Sequence, residues 1–258
     1  MLKKLATSAL LMLSTLTVNA SIIVDLELQL LADVSGSVDS SEYALQLQGY
    51  ADAFKSTSVH NAITSGANGG IAVQYIEWST NQAIQLNWTL INSAASANAF
   101  ADLLAGLSRA NNIGSSTGIG SAIDFGKDLF ATNDFTSARQ VMDVSGDGTN
   151  NVGLTPAGAR DDALSAGVDT INGIVITTNQ NVVDQYLDEV VNGETPFLLA
   201  PGNFDDFQTS IENKIVAEIS GTSPTGAVTV PEPGTLGLFA IPVAFMCFRK
   251  RTIKEKKS

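Results

Sequence analysis

Leu28-Gln29-Leu30-Leu31-Ala32-Asp33-Val34-Ser35-Gly36-Ser37 is an apolar run of strand length that ends in Asp-x-Ser-x-Ser. The run predicts a strand, and the polar stop predicts a tight loop at its carboxyl end. One carboxylate and two hydroxyls, spaced two apart on such a loop, can all point into one small volume. Hard divalent cations such as Mg²⁺ take oxygen ligands of this kind. Gly36, between the two serines, opens backbone angles closed to other residues. Asp33, Ser35 and Ser37 are therefore candidate metal ligands. The plainer reading of the same motif is a turn that caps the following helix.

Outward from this stretch, strand-like and helix-like segments alternate. Ile22 to Ala32 reads as the first strand. Ser40 to Phe54 reads as a helix, with Tyr43, Leu47, Tyr50 and Phe54 at helical spacing and Asp39 or Ser40 as its N-cap. After the turn Ser65 to Gly70, Ile71 to Trp78 and Ala83 to Trp88 read as two strands of a hairpin. Helices are predicted over 94–107, 119–130, 156–166, 182–191 and 204–219, with strands over 139–144, 169–176 and 197–200. This order argues for an α/β fold, a doubly wound and mostly parallel sheet with helices on both faces and one antiparallel edge hairpin. Such sheets bind ligands outside the carboxyl ends of their strands. The loops after Asp33 and after Val144 both leave strands at such an end.

Two further loops join the first. Gly114-Ser115-Ser116-Thr117-Gly118-Ile119-Gly120 precedes a helix, and Val141-Met142-Asp143-Val144-Ser145-Gly146-Asp147-Gly148 runs from a strand into Asp-Gly. With Asp33-x-Ser35-x-Ser37, these resemble the three loops of the metal-ion-dependent adhesion site (MIDAS) in the von Willebrand factor type A (VWA) family. The wording Asp33 to Asp39, Glu77-Trp78-Ser79 and Asp143 to Asn151 is similar to one bacterial VWA subfamily of unknown function, over Ile22 to Ser220. The resemblance implies a doubly wound, Rossmann-like VWA fold and the metal ligands Asp33, Ser35, Ser37, Thr117 and Asp147, the last often acting through water. It also implies one coordination position open to a partner's carboxylate. Ser115-Ser116 departs from the family's small glycine step before the threonine, and Asp143 lies near the site without a role in the pattern.

Other motifs carry less. Asp143-x-Ser145-x-Asp147-Gly148 opens like an EF-hand, but position twelve is Leu154 rather than a bidentate Glu. Gly114-x-Ser116-x-Gly118 matches a hydrolase elbow. The segment before it, Ser108 to Asn112, is polar rather than strand-like, and the only histidine, His60, precedes the serine. His60 reads as a surface residue on a loop. Gly66 to Gly70 stands before a strand, the wrong context for a phosphate cradle. Trp78 and Trp88 read as core at strand ends.

The two ends read as addresses. Residues 1–20 carry Lys3 and Lys4, an apolar stretch from Leu5 to Val18 and Val18-Asn19-Ala20, the pattern of a secretory signal peptide. Gly221 to Val230 reads as a linker. In residues 231–258, Pro231-Glu232-Pro233 leads into fifteen mostly apolar residues and then Arg249-Lys250-Arg251. That order resembles the PEP-CTERM sorting signal of Gram-negative bacteria, which implies recognition and cleavage by a membrane-embedded exosortase. On this reading the chain touches a membrane only through the C-terminal segment before cleavage. The only cysteine, Cys247, falls in this tail, so the body has no disulfide or thiolate site.

Of 14 Lys and Arg, two fall in the first 20 residues and six in the tail, leaving six against 24 of the 26 acids, since Glu232 and Glu255 lie in the tail, a net of −18 for the body. So acidic a surface repels nucleic acid. The expectation is a non-enzymatic, exported VWA-type domain of residues 21–220. Its cofactor would be a divalent cation, Mg²⁺ first and Ca²⁺ or Mn²⁺ as alternatives. Its partner would be an acidic protein or matrix ligand in the periplasm, outer envelope or extracellular matrix of a Gram-negative bacterium. The alternatives are a structural matrix component whose metal only stiffens the loops, and a serine hydrolase using Ser116.

Overall fold

The computed structural model describes residues 21–228. Residues 1–20, read above as a signal peptide, residues 229 and 230 of the expected linker, and residues 231–258 with Cys247, read as a sorting tail, lie outside the described residues. Among the described residues, no helix is long and apolar enough to cross a membrane.

The central sheet is built on β2 (Leu26–Asp33), every residue of which is buried. It pairs in parallel with β3 (Ile71–Trp78) on one side and β6 (Gln140–Gly146) on the other. Beyond β3 the antiparallel β4 (Gln82–Ile91) forms one edge, as the hairpin reading expects. Beyond β6 come the parallel β7 (Thr170–Val175), then the short antiparallel β8 (Asn192–Gly193) and parallel β9 (Leu198–Leu199), both on β7. Val228 bridges onto Leu198 outside β9. The inner strands β2 and β3 are buried along their whole length, as a sheet covered on both faces requires, and their polar residues Glu27, Gln29, Gln74 and Glu77 are buried with the rest.

One face packs α1 (Ser40–Lys55), α2 (Thr57–Thr64), α3 (Ala94–Ala105) and α7 (Phe204–Ser220). Edge-to-face contacts of Tyr50 with Tyr75 and Phe207, and of Phe54 with Phe100, tie these helices to the sheet. The other face packs α4 (Ile119–Phe130), α5 (Pro156–Ala166) and α6 (Gln180–Gln185), which runs directly into a π-helical turn, Tyr186–Val190. The sheet is thus doubly wound, mostly parallel and covered on both sides.

Local chemistry explains where the elements differ from expectation. The predicted strand 22–32 is cut at Asp25. Its carboxylate accepts from the Asn68 N–H and side-chain amide and from the Gly70 N–H, which bends the chain there. The piece before the bend, β1 (Ile22–Val24), pairs with β5 (Phe135–Ser137) in a separate two-stranded sheet. His60 lies in α2 rather than on a loop, its ring against the Phe54 carbonyl at 2.7 Å. Ser56 caps that helix through the Val59 N–H, a signal hidden because α1 ends just before it. Trp78 is fully buried at the end of β3, whereas Trp88 lies inside β4 and is half-buried.

Candidate metal centre

The strand order reverses between β2 and β6: the chain leaves β2 toward β3 on one side and β6 toward β7 on the other. The two carboxyl ends therefore diverge and leave a crevice. Asp33 is the last residue of β2, and Asp147 directly follows β6. The fold thus brings these acids, 114 positions apart, to one spot.

Hydrogen bonds between the loops close the spot. The Gly36 N–H donates to the Ser115 carbonyl at 2.9 Å, joining the first loop to the second. A Cβ on Gly36 would crowd that carbonyl at 3.3 Å, so the close approach favours glycine. The Thr117 N–H donates to Asn151 Oδ1, and the Asn151 N–H returns the bond to the Thr117 carbonyl, both at 2.9 Å, joining second to third. Ser37 Oγ donates to Asp147 Oδ1 at 2.6 Å, joining first to third. Ser35 and Ser37 hydroxyls stand 3.1 Å apart, and the Ser35 N–H donates to Asp33 Oδ1 at 2.7 Å. Thr117 Oγ1 faces Gly148, the residue after Asp147. All five predicted ligands therefore line one crevice.

The crevice has a floor and a rim. Asp33, Ser35 and Thr117 are buried, Asp147 is half-buried and Ser37 is exposed. Burial pushes the Asp33 carboxyl up to about 7, against the Ser35 N–H that favours its anion, with the Asp147 charge adding to the rise. Asp147 is raised as well, by burial first and with Glu42 contributing. Among the described residues, no lysine or arginine forms a salt bridge with either acid. Asp33 Oδ2 is buried without a hydrogen-bond partner. Buried carboxylates normally have a cation or several donors. A set of two acids and three hydroxyls lacking positive charge fits a hard divalent cation.

The surroundings hold the loops in place. Asp39 caps α1 by accepting from the Ser41 and Glu42 N–H groups, while Glu42 returns a bond to the Asp39 N–H. Arg109 donates to the Val38 and Asp39 carbonyls at 2.8 Å and stacks over Tyr43, fastening the segment before Thr117 to the start of α1. The Ser116 backbone is tied to the turn after β3: its N–H donates to Thr80 Oγ1 and its carbonyl accepts from Ser79 Oγ. The element before it is α3 rather than a strand.

Asp143 is not part of the crevice. It sits in mid-strand on the opposite face of β6, where Lys214 Nζ of α7 stands 2.7 Å from its Oδ1. Lys214 also pairs with Glu218, and all three side chains are fully buried. Beneath the crevice, beside Gly146, lie Trp78, which the sequence marked as core, and Tyr186, which it did not mark. Nothing in the spacing around Tyr186 betrays its role, because its contact with the site is made across the sheet.

The comparisons with known proteins agree with this architecture. A family model described as "Protein of unknown function (DUF1194)" matches residues 23–223. No curated protein matches the sequence. Among solved structures, proximal thread matrix protein 1 from the mussel byssus is similar at 14% identity and TM-score 0.58, over 78% of this chain and 49% of that one. A second structure of that protein, described "with zinc occupied MIDAS motif", aligns at 15% identity and TM-score 0.56, over 78% and 49%. A von Willebrand factor type A protein from Catenulispora acidiphila aligns at 13% identity and TM-score 0.53, over 76% and 43%. The pilus adhesin SpaC from Lactobacillus rhamnosus GG aligns at 13% identity and TM-score 0.54, over 77% and 31%. The chain thus spans about half the length of these proteins or less, and at such identities the likeness establishes the fold, which is VWA-like.

Proposed function

The chain belongs to the DUF1194 family of proteins of unknown function, and from that premise we propose that it is an exported metal-dependent adhesion domain of the cell envelope. Asp33, Ser35, Ser37, Thr117 and Asp147 would hold a divalent cation, Mg²⁺ first. When bound, the cation would supply a Lewis-acidic position for a carboxylate oxygen of an acidic protein or matrix partner. The residues do the rest. Asp33 brings the charge to the floor, the three hydroxyls offer neutral oxygens, and Ser37 and Asp147 leave the rim open to a partner. The N- and C-terminal addresses would carry the domain out of the cell and hand its tail to an exosortase.

The observation that carries this reading is a buried acid, Asp33, beside hydroxyls and a second acid, with no salt bridge to either acid among the described residues. The zinc-occupied site of the byssus protein and the adhesin likeness lend it further support. A body of net −18 repels an acidic ligand, and a bound cation would offset part of that repulsion. The test is titration of Mg²⁺, Mn²⁺ and Ca²⁺ into the full-length protein in mild detergent, with Asp33→Ala beside it. Saturable binding lost in the variant is the expected result, and a wild-type protein that binds none of the three sinks the proposal.

A second reading, a matrix component whose metal merely stiffens the loops, draws on the bonds already joining them. It predicts that cells displaying Asp33→Ala adhere as well as wild type, whereas the adhesion reading predicts loss.

A further inference from the structure

Three buried polar atoms without hydrogen-bond partners meet beneath the crevice: Asp33 Oδ2, the Tyr186 hydroxyl and Trp78 Nε1. All three side chains are fully buried. Their common neighbour is Gly146. A Cβ there would overlap the Tyr186 hydroxyl and lie 3.1 Å from Asp33 Oδ2 and 3.4 Å from Trp78 Cζ2, the ring atom beside the indole N–H side. Any side chain at 146 would thus part the tyrosine from the aspartate.

The tyrosine reaches this point by crossing the sheet. A Cβ on Gly173 of β7 would lie 3.2 Å from Tyr186 Cδ1, so the ring passes over bare backbone at Gly173. Its hydroxyl then rests against Gly146 of β6, the residue that Asp33 Oδ2 of the adjacent strand β2 also approaches. Tyr186 opens the π-helical turn, whose wider bond runs from the Val191 N–H to the Tyr186 carbonyl. Such turns often stand at functional sites. Just before it, Gln185 Oε1 accepts from the Asn150 N–H at 2.8 Å, so the same segment also grips the third metal loop.

Asp33 Oδ1 already accepts from the Ser35 N–H, which leaves Oδ2 as the oxygen in need of a donor. A phenol has one O–H to give. We propose that Tyr186 is a positioning residue of the metal centre, its hydroxyl donating to the Asp33 carboxylate and holding it in its ligand orientation, in space that Gly146 and Gly173 leave free. This rests on the metal-binding reading above. Groups that orient a ligand from behind usually matter to metal affinity nearly as much as the ligand itself.

Tyr186→Phe removes one oxygen and little else, and tests this in the full-length protein. Titration of Mg²⁺ and Mn²⁺ should give a Kd about 10–100-fold weaker than wild type. The metal-free unfolding midpoint is read beside it, because the lost donor also leaves the buried Asp33 carboxylate without its partner and can lower stability. Should the midpoint fall, the two Kd values are compared at a temperature where both proteins are folded. A Kd equal to wild type, with or without a change in stability, overturns the proposal and leaves Tyr186 a packing residue. Gly146→Ala gives the second variant: it should weaken binding similarly, and adding Tyr186→Phe to it should cost little more, since both act on one contact. Additive losses would count against a shared contact. A wild-type protein that binds no metal overturns the functional reading itself and this inference with it.

Discussion

Two clusters of buried acid hang from β6, four residues apart, and they differ in where their positive charge comes from. At Asp143 the chain supplies its own. Lys214 reaches in from α7 and stands between Asp143 and Glu218, with Phe197 under its ammonium at 5.3 Å. Asn172 donates to Glu218 Oε1 at 3.2 Å, and Arg139 holds the Glu218 carbonyl at the end of the helix. Burial still pushes the Glu218 carboxyl up to about 7 and raises Asp143, with Lys214 pulling both the other way. At Asp33 and Asp147 the described residues supply hydroxyls and no salt-bridge partner. The first cluster is closed and shut off from solvent, whereas the second is short of charge and opens at a rim. That contrast is why one reads as a structural fastening of α7 and the other as a place for a metal from outside.

The contrast is most exposed to failure at Lys214. Lys214→Met leaves two carboxylates buried with no cation and should destabilise the fold by about 3–5 kcal/mol in urea unfolding. A loss below about 1 kcal/mol would mean that Asp143 and Glu218 do not depend on that charge. The opposite sign is expected across the strand. Asp33→Ala should abolish metal binding by calorimetry, yet leave the metal-free protein no less stable, since a buried acid without a counter-charge has gone. A metal-free variant that unfolds several degrees earlier would show that Asp33 is structural in its own right.

The pH response sharpens the difference further. Asp33 in the folded protein titrates near 7, above its ordinary 3.8, so the folded state holds the proton more tightly than the unfolded chain. Its contribution to stability is whole below about pH 4 and is lost as pH rises through 7. Glu218 titrates near 7 with the same sign. The EDTA-treated protein should therefore melt lower at about pH 8 than at about pH 5, and Mg²⁺ should raise the midpoint more at the higher pH. In Asp33→Ala the Mg²⁺ effect should vanish and the pH dependence should shrink to the share of the other raised acids, Glu218, Asp143 and Asp147. An Mg²⁺ effect larger at the lower pH would overturn this account. The smallest effect is expected at the rim: Asp39→Ala removes the α1 cap and should cost about 1 kcal/mol by thermal unfolding, with Kd for Mg²⁺ unchanged.

Much of this was legible in the chain. Alternating strand and helix patterns, with Asp33 and Asp147 at strand ends, point to a doubly wound sheet and a crevice at its switch. The helices over 40–55, 119–130 and 156–166 carry their apolar spacing or flanking caps openly. What stayed hidden was set by contacts distant in sequence. Asp25 breaks a strand because Asn68 and Gly70 come to meet it. The helix predicted over 182–191 is half α and half π, since Tyr186 must lie across β7 and β6. Asp143, unassigned in the motif, belongs to a lysine 71 positions away.

Residue types and their local spacing determined the fold class and the loop of Asp33, Ser35 and Ser37 at its carboxyl edge, because strand periodicity and loop chemistry act within a few residues. Thr117 and Asp147 joined that loop through the resemblance of theirs to the VWA pattern. Which acids receive a cation from the chain, which tyrosine stands behind Asp33 and which glycines make room for it were decided only by the folded sheet. Charge compensation and close packing depend on distance in space, and three adjacent strands bring together residues that the sequence keeps more than a hundred positions apart.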